Sequence, residues 1–274
     1  KLSDIVVNKL SINCNAPDLT EWSKMIDRIS NCNKSVTIGI VGKYVKFKDA
    51  YLSVIESLNH AGIHLNVNVN IKWIDAELLT QFTADDLLKD CQGILVPGGF
   101  DSRGVLGMIT AAKYSRENNI PYLGICLGMQ IAVIEYAKNC LNIEDATSAE
   151  FSESGTHVIH LMEEQKSVSS KGATMRLGAF ACKIKENTRL HSIYDTDNIS
   201  ERHRHRYEFN NEFRDQMEKN GLTISGLSPD GVLVEVVEIT NHKFYVGVQF
   251  HPEFKSRPNR VHPLFAEFVK SAIE

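Results

Sequence analysis

Apolar residues gather along this chain in two kinds of run. Mostly apolar blocks at 36–41, 93–96, 122–125 and 244–250, with an alternating block at 67–73, are short and bounded by turn residues, which predicts β-strands. Between them the apolar positions return every three or four residues. That spacing predicts helices over 49–61 and 104–118, from Gly128 onward, and over 262–273 with Leu264, Phe265, Phe268 and Val269 turned inward. The blocks at 177–184, 222–225 and 232–239 alternate more strongly, as antiparallel strands do. Strands and helices taking turns imply an α/β fold: a doubly wound, mainly parallel open sheet with right-handed crossovers and an added antiparallel portion. Residues 1–34 are less periodic. A polar stretch at 13–18 leads there into a helix over 21–29, capped by Asp18 or Thr20, with Trp22, Met25, Ile26 and Ile29 on one face.

The chain has 274 residues, enough for one large domain or two small ones. Its net charge of −4 offers no basic excess for phosphates, so a nucleic-acid partner is not expected. No apolar run approaches the ~18 residues of a membrane helix, and no basic region followed by an apolar stretch opens the chain. The expectation is a soluble, cytoplasmic protein without a membrane partner. Six cysteines (Cys14, Cys32, Cys91, Cys126, Cys140, Cys182) are spread without a C-x-x-C pair, the histidines form no H-E-x-x-H pattern, and no metal is expected. Gly42-Lys43 invites a phosphate-loop reading, but Tyr44 stands where that loop needs Ser or Thr, so Gly42 reads as a turn.

The chemistry lies in 121–140, PYLGICLGMQIAVIEYAKNC. Gly124 and Gly128 flank Cys126 at the seam between strand and helix. This is the pattern of a nucleophile elbow, in which small neighbours let the chain turn so sharply that one side chain projects alone. The helix that follows aims its unpaired amides and the positive end of its dipole at the sulfur, which favours thiolate. A cysteine at a strand end is as often a small core residue. Far along the chain, His251 and Glu253 follow the apolar block 244–250. Two apart in an extended segment, they face the same way, with Pro252 stiffening the backbone between them. An imidazole oriented by a carboxylate is what a thiol nucleophile requires.

GICLGMQ at 124–130 with VGVQFHPEF at 246–254 is similar to class I glutamine amidotransferases. VGKYVKFKDAYLSVIESL at 41–58, LVPGGF at 95–100, GATMRLG at 172–178 and ERHRHRYEFN at 201–210 narrow the resemblance to the CTP synthase family, over nearly the whole chain. The resemblance implies a flavodoxin-like class I amidotransferase fold over 35–274, and it makes 1–34 a junction segment after an absent synthetase domain. It implies a triad of Cys126, His251 and Glu253 that hydrolyses L-glutamine through a thioester, with the amides of Gly99 and Leu127 as oxyanion donors. It further implies glutamine contacts at Gly99, Leu127, Gly128, Met129, Gln130, Glu150 and Arg206, the last two as an opposite pair for the zwitterionic end.

From the residues alone these positions stay ambiguous. Pro97-Gly98-Gly99-Phe100 is either a loop that lets a ligand approach the carboxyl end of a strand or a plain βα turn. Gln130 and Glu150 read equally as surface, and 202–206 as a solvated strand face. The polar stretch 153–171 reads as a mobile loop, which the resemblance places near the synthetase domain and the activating nucleotide GTP. One departure stands out: the family continues GGFG where this chain has Asp101. Asp tolerates left-handed backbone, and its carboxylate is expected to point away from the sulfur.

In the whole enzyme that the motifs resemble, ammonia passes to a synthetase domain that aminates UTP to CTP with ATP and magnesium, in a homotetramer. No cofactor is expected in this chain itself. Two rival readings remain at this stage. One is the glutaminase of another amidotransferase, such as GMP synthetase, against which the strings at 172–178 and 201–210 speak. The other is a catalytically weak regulatory or assembly module, for which Asp101 is the hint.

Overall fold

A computed structural model describes residues 2–161 and 175–274 of the chain. In chain order its elements are α1 (Leu2–Lys9), α2 (Thr20–Ser30), β1 (Ser35–Gly42), α3 (Leu52–Leu65), β2 (Asn68–Asp75), α4 (Ala84–Leu88), β3 (Gly93–Val96), α5 (Val105–Glu117), β4 (Tyr122–Ile125) and α6 (Leu127–Cys140). There follow β5 (Ala146–Ser148), β6 (Thr156–Leu161), β7 (Arg176–Ile184), α7 (Arg189–Tyr194), β8 (Asn198–His205), β9 (Tyr207–Phe209), α8 (Arg214–Lys219), β10 (Leu222–Leu227), β11 (Val234–Ile239), β12 (Tyr245–Val248) and α9 (Pro263–Ile273).

The main sheet runs β2-β1-β3-β4-β12-β11-β10-β7-β8. Pairings from β2 to β12 are parallel and those from β12 to β8 antiparallel, so β12 is the strand at which the sheet changes character. The inner parallel strands β1, β3, β4 and β12 are buried on both faces, which is why their sequences are continuous apolar runs, whereas the edge strand β2 is partly exposed and alternates. Leu95, Leu123, Ile125, Val246 and Val248 pack with α3 and α9 on one face. Ile94, Val96, Tyr122 and Tyr245 pack with α5 and α6 on the other, the two tyrosine rings stacked 4.5 Å apart. This is the doubly wound mixed sheet that the periodicity implies, and its site belongs outside the carboxyl ends of the parallel strands.

Several features were not anticipated from the sequence. α1 forms within the stretch read as less periodic, and on α2 the side chains of Trp22, Ile26 and Ile29 remain about half exposed. A second sheet, β5-β6-β9, sits beside the first. β6 lies within the polar stretch 153–171 that read as a loop; the part of that stretch from 162 on, with residues 172–174 of the GATMRLG string, lies outside the described residues. The run 202–206 is not a plain solvated face. On β8 Arg202 and Arg204 are exposed, but the alternate residues His203 and His205 are buried.

Candidate active site

β4 and β12 run side by side with Val248 opposite Ile125, so both end at the same level of the sheet. Cys126 is the residue after β4 and holds φ 51° and ψ −100°, a backbone conformation that a side-chain-bearing residue keeps only under constraint. The constraint is visible in its neighbours. A Cβ on Gly124 would lie 2.5 Å from the Gly128 carbonyl, and a Cβ on Gly128 would lie 2.1 Å from the Val96 oxygen, so the turn closes only with glycine at both places. α6 begins immediately after, with its first amides lacking intrahelical partners beside the sulfur. Gln249 Nε2 donates to Cys126 Sγ at 3.6 Å, and the thiol faces the Arg204 carbonyl at 3.8 Å.

His251 leaves the end of β12 and is held from three sides. Its amide donates to the Arg202 carbonyl at 2.7 Å, its ring stacks on Phe254 with centroids 5.6 Å apart, and its Nδ1 lies 2.8 Å from Glu253 Oε1. Glu253 is itself buried, and its carbonyl accepts from Ser57 of α3 at 3.3 Å. Burial works against a charged imidazole here, but the neighbouring Cys126 sulfur and the Glu253 carboxylate outweigh it and push the His251 pKa up to about 10. Nε2 is buried and makes no hydrogen bond of ordinary geometry among the described residues. A Cβ on Gly98 would lie 2.9 Å from His251 Cε1 and 3.6 Å from Cys126 Cβ, so the imidazole, the sulfur-bearing residue and the loop after β3 meet at one point.

Two spaces share Gly99, Phe100 and Cys126 as walls. A cavity of about 390 Å³ opens on one side, bounded by Tyr44, Tyr51, Arg204, His251, Glu253 and Phe254. A narrow cleft of about 20 Å³ lies on the other, lined by Gln130, Glu150, His205, Arg206 and Tyr207. Glu150 follows β5 and Arg206 precedes β9, and both strands pair with β6, so the small sheet is what brings these opposite charges to one cleft. Burial raises the Glu150 pKa, while the Asp101 amide at 2.9 Å, the Lys43 ammonium and Arg206 favour its ionised form.

Not every expected contact faces the cleft. Gly128 packs against the Val96 backbone and Met129 is buried against Gly247 of β12, and neither residue lines the cleft. Gln130 does, but its Nε2 is engaged by the Tyr207 carbonyl at 3.1 Å and Gln249 Oε1 at 3.2 Å. Leu127 lies against the loop after β3: a Cβ on Gly99 would stand 3.2 Å from its Cδ2.

A model of the family described as Glutamine amidotransferase class-I matches residues 46–271. The chain belongs to the class I glutamine amidotransferases. Along its whole length this amidotransferase is 55% identical to the CTP synthase of Carboxydothermus hydrogenoformans and 50% identical to that of Bacillus subtilis, and it covers 51% of each. The chain thus spans about half the length of the curated relatives it matches. Among solved structures, the glutaminase domain of Trypanosoma brucei CTPS with bound acivicin is similar with TM-score 0.81 and 40% identity, over 87% of this chain and 94% of that one. A glutamine amidotransferase of Thermotoga maritima shares the fold, with TM-score 0.51 and 12% identity over 87% and 96% of the two chains.

Within this amidotransferase, Asp101 adopts φ 65°, the left-handed conformation that glycine takes most easily. Its carboxylate accepts from the Arg103 amide at 2.7 Å and lies 3.9 Å from Lys43 Nζ, and the side chain is largely exposed. Gln249 was missed in the sequence because it sits inside an apolar run. The Arg202 and Arg204 carbonyls were missed because backbone groups carry no sequence signal. Behind β8 lies a buried polar cluster: Arg176 Nη1 and Glu235 Oε1 are 2.6 Å apart, and His203 Nδ1 and His205 Nε2 are 3.2 Å apart.

Proposed function

We propose that this amidotransferase hydrolyses L-glutamine at Cys126. The reading is supported above all by the juxtaposition of a strained elbow cysteine with the His251–Glu253 pair at the ends of two adjacent parallel strands. The α-amino and α-carboxylate groups of glutamine engage Glu150 and Arg206. The Cys126 thiolate attacks the γ-carboxamide carbon, and the Gly99 and Leu127 amides hold the oxygen that becomes negative. His251 gives its proton to the departing nitrogen and ammonia leaves. The same imidazole then takes a proton from water, the hydroxide attacks the thioester carbon, and glutamate departs as the thiolate returns. Glu253 keeps the ring oriented throughout.

At the level of the whole protein, we read this chain as the glutamine-hydrolysing half of a CTP synthase, working in the cytoplasm within a homotetramer. Ammonia passes to a synthetase portion that uses ATP and magnesium to aminate UTP, with GTP as activator, and residues 1–34 form the junction to that portion. The half-exposed apolar side chains on α2 support the junction reading. Gly42-Lys43 offers no phosphate loop, because Lys43 Nζ is engaged by backbone carbonyls.

The test is ammonia release from L-glutamine by this chain and by Cys126→Ser, with and without the synthetase portion in trans. Release that is lost in Cys126→Ser and stimulated by the partner portion supports the reading. Release that persists in Cys126→Ser overturns it.

A further inference from the structure

The Gly42-Lys43 pair serves the loop after β3 rather than a phosphate. A Cβ on Gly42 would lie 2.6 Å from Tyr51 Oη, so only glycine lets that ring slide under the end of β1. There Tyr51 Oη accepts from the Lys43 amide at 3.2 Å and from the Tyr44 amide at 3.3 Å, which fixes the direction in which the Lys43 side chain leaves the strand. That side chain is fully buried. It crosses from the end of β1 to the end of β3, its Cε and Cδ lying 3.6 and 3.8 Å from where Gly99 would carry a Cβ. Its Nζ donates to the Phe100 carbonyl at 2.6 Å and also to the Asp101 carbonyl.

The Phe100–Asp101 peptide is therefore pinned at both edges. In a trans peptide the C=O and N–H point opposite ways; here the C=O meets Lys43, and the N–H donates to Glu150 at 2.9 Å. Residues 97–100 have no strand or helix of their own to set their peptide planes. Burying an ammonium disfavours its charge, a cost that hydrogen bonds and nearby carboxylates must offset. Two of the groups that favour the Lys43 charge are Asp101 and Glu150, on the same side of the site.

We propose that Lys43 is the positioning residue of the oxyanion loop: gripping the Phe100 and Asp101 carbonyls from beneath, it holds the Gly99 amide where the tetrahedral oxygen develops. The proposal rests on the glutaminase reading above. Oxyanion donors matter to acyl transfer, where a tetrahedral oxygen forms, and not to simple alkylation of the sulfur, where none does.

The experiment compares this chain with Lys43→Met, which keeps the length of the side chain and removes its donors. Lys43→Met is expected to lower kcat for ammonia release about 10- to 100-fold, to leave KM for glutamine within about threefold, and to leave the rate of Cys126 alkylation by iodoacetamide unchanged. A kcat equal to that of the parent chain overturns the proposal. So does a loss carried by KM, or a fall in alkylation parallel to that in turnover. Absence of ammonia release by the parent chain, or its persistence in Cys126→Ser, would instead fault the glutaminase reading. If circular dichroism shows Lys43→Met unfolded, Lys43→Gln is used, whose shorter donor reaches at most one carbonyl. The same split between turnover and alkylation is expected there at smaller size, and its absence overturns the proposal equally.

Discussion

Replacing Gly128 with alanine adds one methyl group at the tightest point of the elbow. Its Cβ would sit 2.1 Å from the Val96 oxygen and 3.0 Å from the Val96 carbon, both backbone atoms of a buried strand that cannot swing aside. Side-chain carbons keep 3.0 Å or more from such atoms, so the start of α6 must back away from β3 by about 1 Å. Overpacking of this kind costs roughly 1–3 kcal/mol, which for a chain of this size lowers the melting temperature by about 2–10 °C. Cys126 lies two residues upstream and Leu127 one, so the sulfur and the first helical amide move with the backbone. A displacement of about 1 Å between reacting groups lowers turnover about 100-fold. The assay is ammonia release from glutamine alongside thermal unfolding followed by circular dichroism. Gly231→Ala is the control: Gly231 has positive φ, 78°, which an alanine tolerates less well, but nothing lies within 4 Å of the added carbon, so stability falls slightly and turnover does not. Gly128→Ala with kcat within threefold of the parent chain would refute the account of the elbow.

Two further outcomes follow from the geometry. Asp101→Gly retains the backbone that Lys43 and Glu150 grip and removes a largely exposed carboxylate that accepts from the Arg103 amide, so ammonia release should change by less than about threefold; a gain of orders of magnitude would show that the carboxylate had been suppressing the thiolate. Burial, with Arg176 nearby, holds His203 at a pKa of about 2 and His205 at about 3, against roughly 6.5 in the unfolded chain. These depressed bases make the unfolded state bind protons first, so stability is lost as pH falls below that unfolded value. Glu235, raised by burial to about 7, opposes this by one proton as pH falls from about 7 towards its unfolded pKa near 4.5. For these groups the net is about one proton, or roughly 1.4 kcal/mol per pH unit, growing to about two protons below pH 4.5. Urea titrations at pH 7, 6, 5 and 4 measure it, and a flat profile would contradict the buried neutral imidazoles.

How much of this was legible beforehand depended on the distance over which each signal acts. β3 and β4 could be placed to the residue, because a strand buried on both faces writes itself as an uninterrupted apolar run between turn residues. Cys126 stood out because an elbow encodes its geometry within a few residues, and His251 and Glu253 because they are close in sequence; the pair meets through a 3₁₀ turn over Pro252–Phe254, not through the extended segment that was expected. Glu150 and Arg206 carried no such local mark. They meet through β5 and β9, three-residue strands too short for alternation to register, which pair with a third strand between them. The buried half of the 202–206 run was hidden for a related reason: His and Arg alternate as polar residues in sequence, and only the pairing of β7 with β8 and the packing beneath them decides which set turns inward. Lys43 looked like a failed phosphate ligand because its acceptors are carbonyls far along the chain.

β12 is the last of the described strands in chain order and yet lies in the middle of the main sheet, between β4 and β11. On a ribosome, the strand that leads into Cys126 is therefore synthesised long before the strand that fills the space beside it and leads into His251. The fold thereby cannot bring Cys126 and His251 together until β12 has been made and inserted.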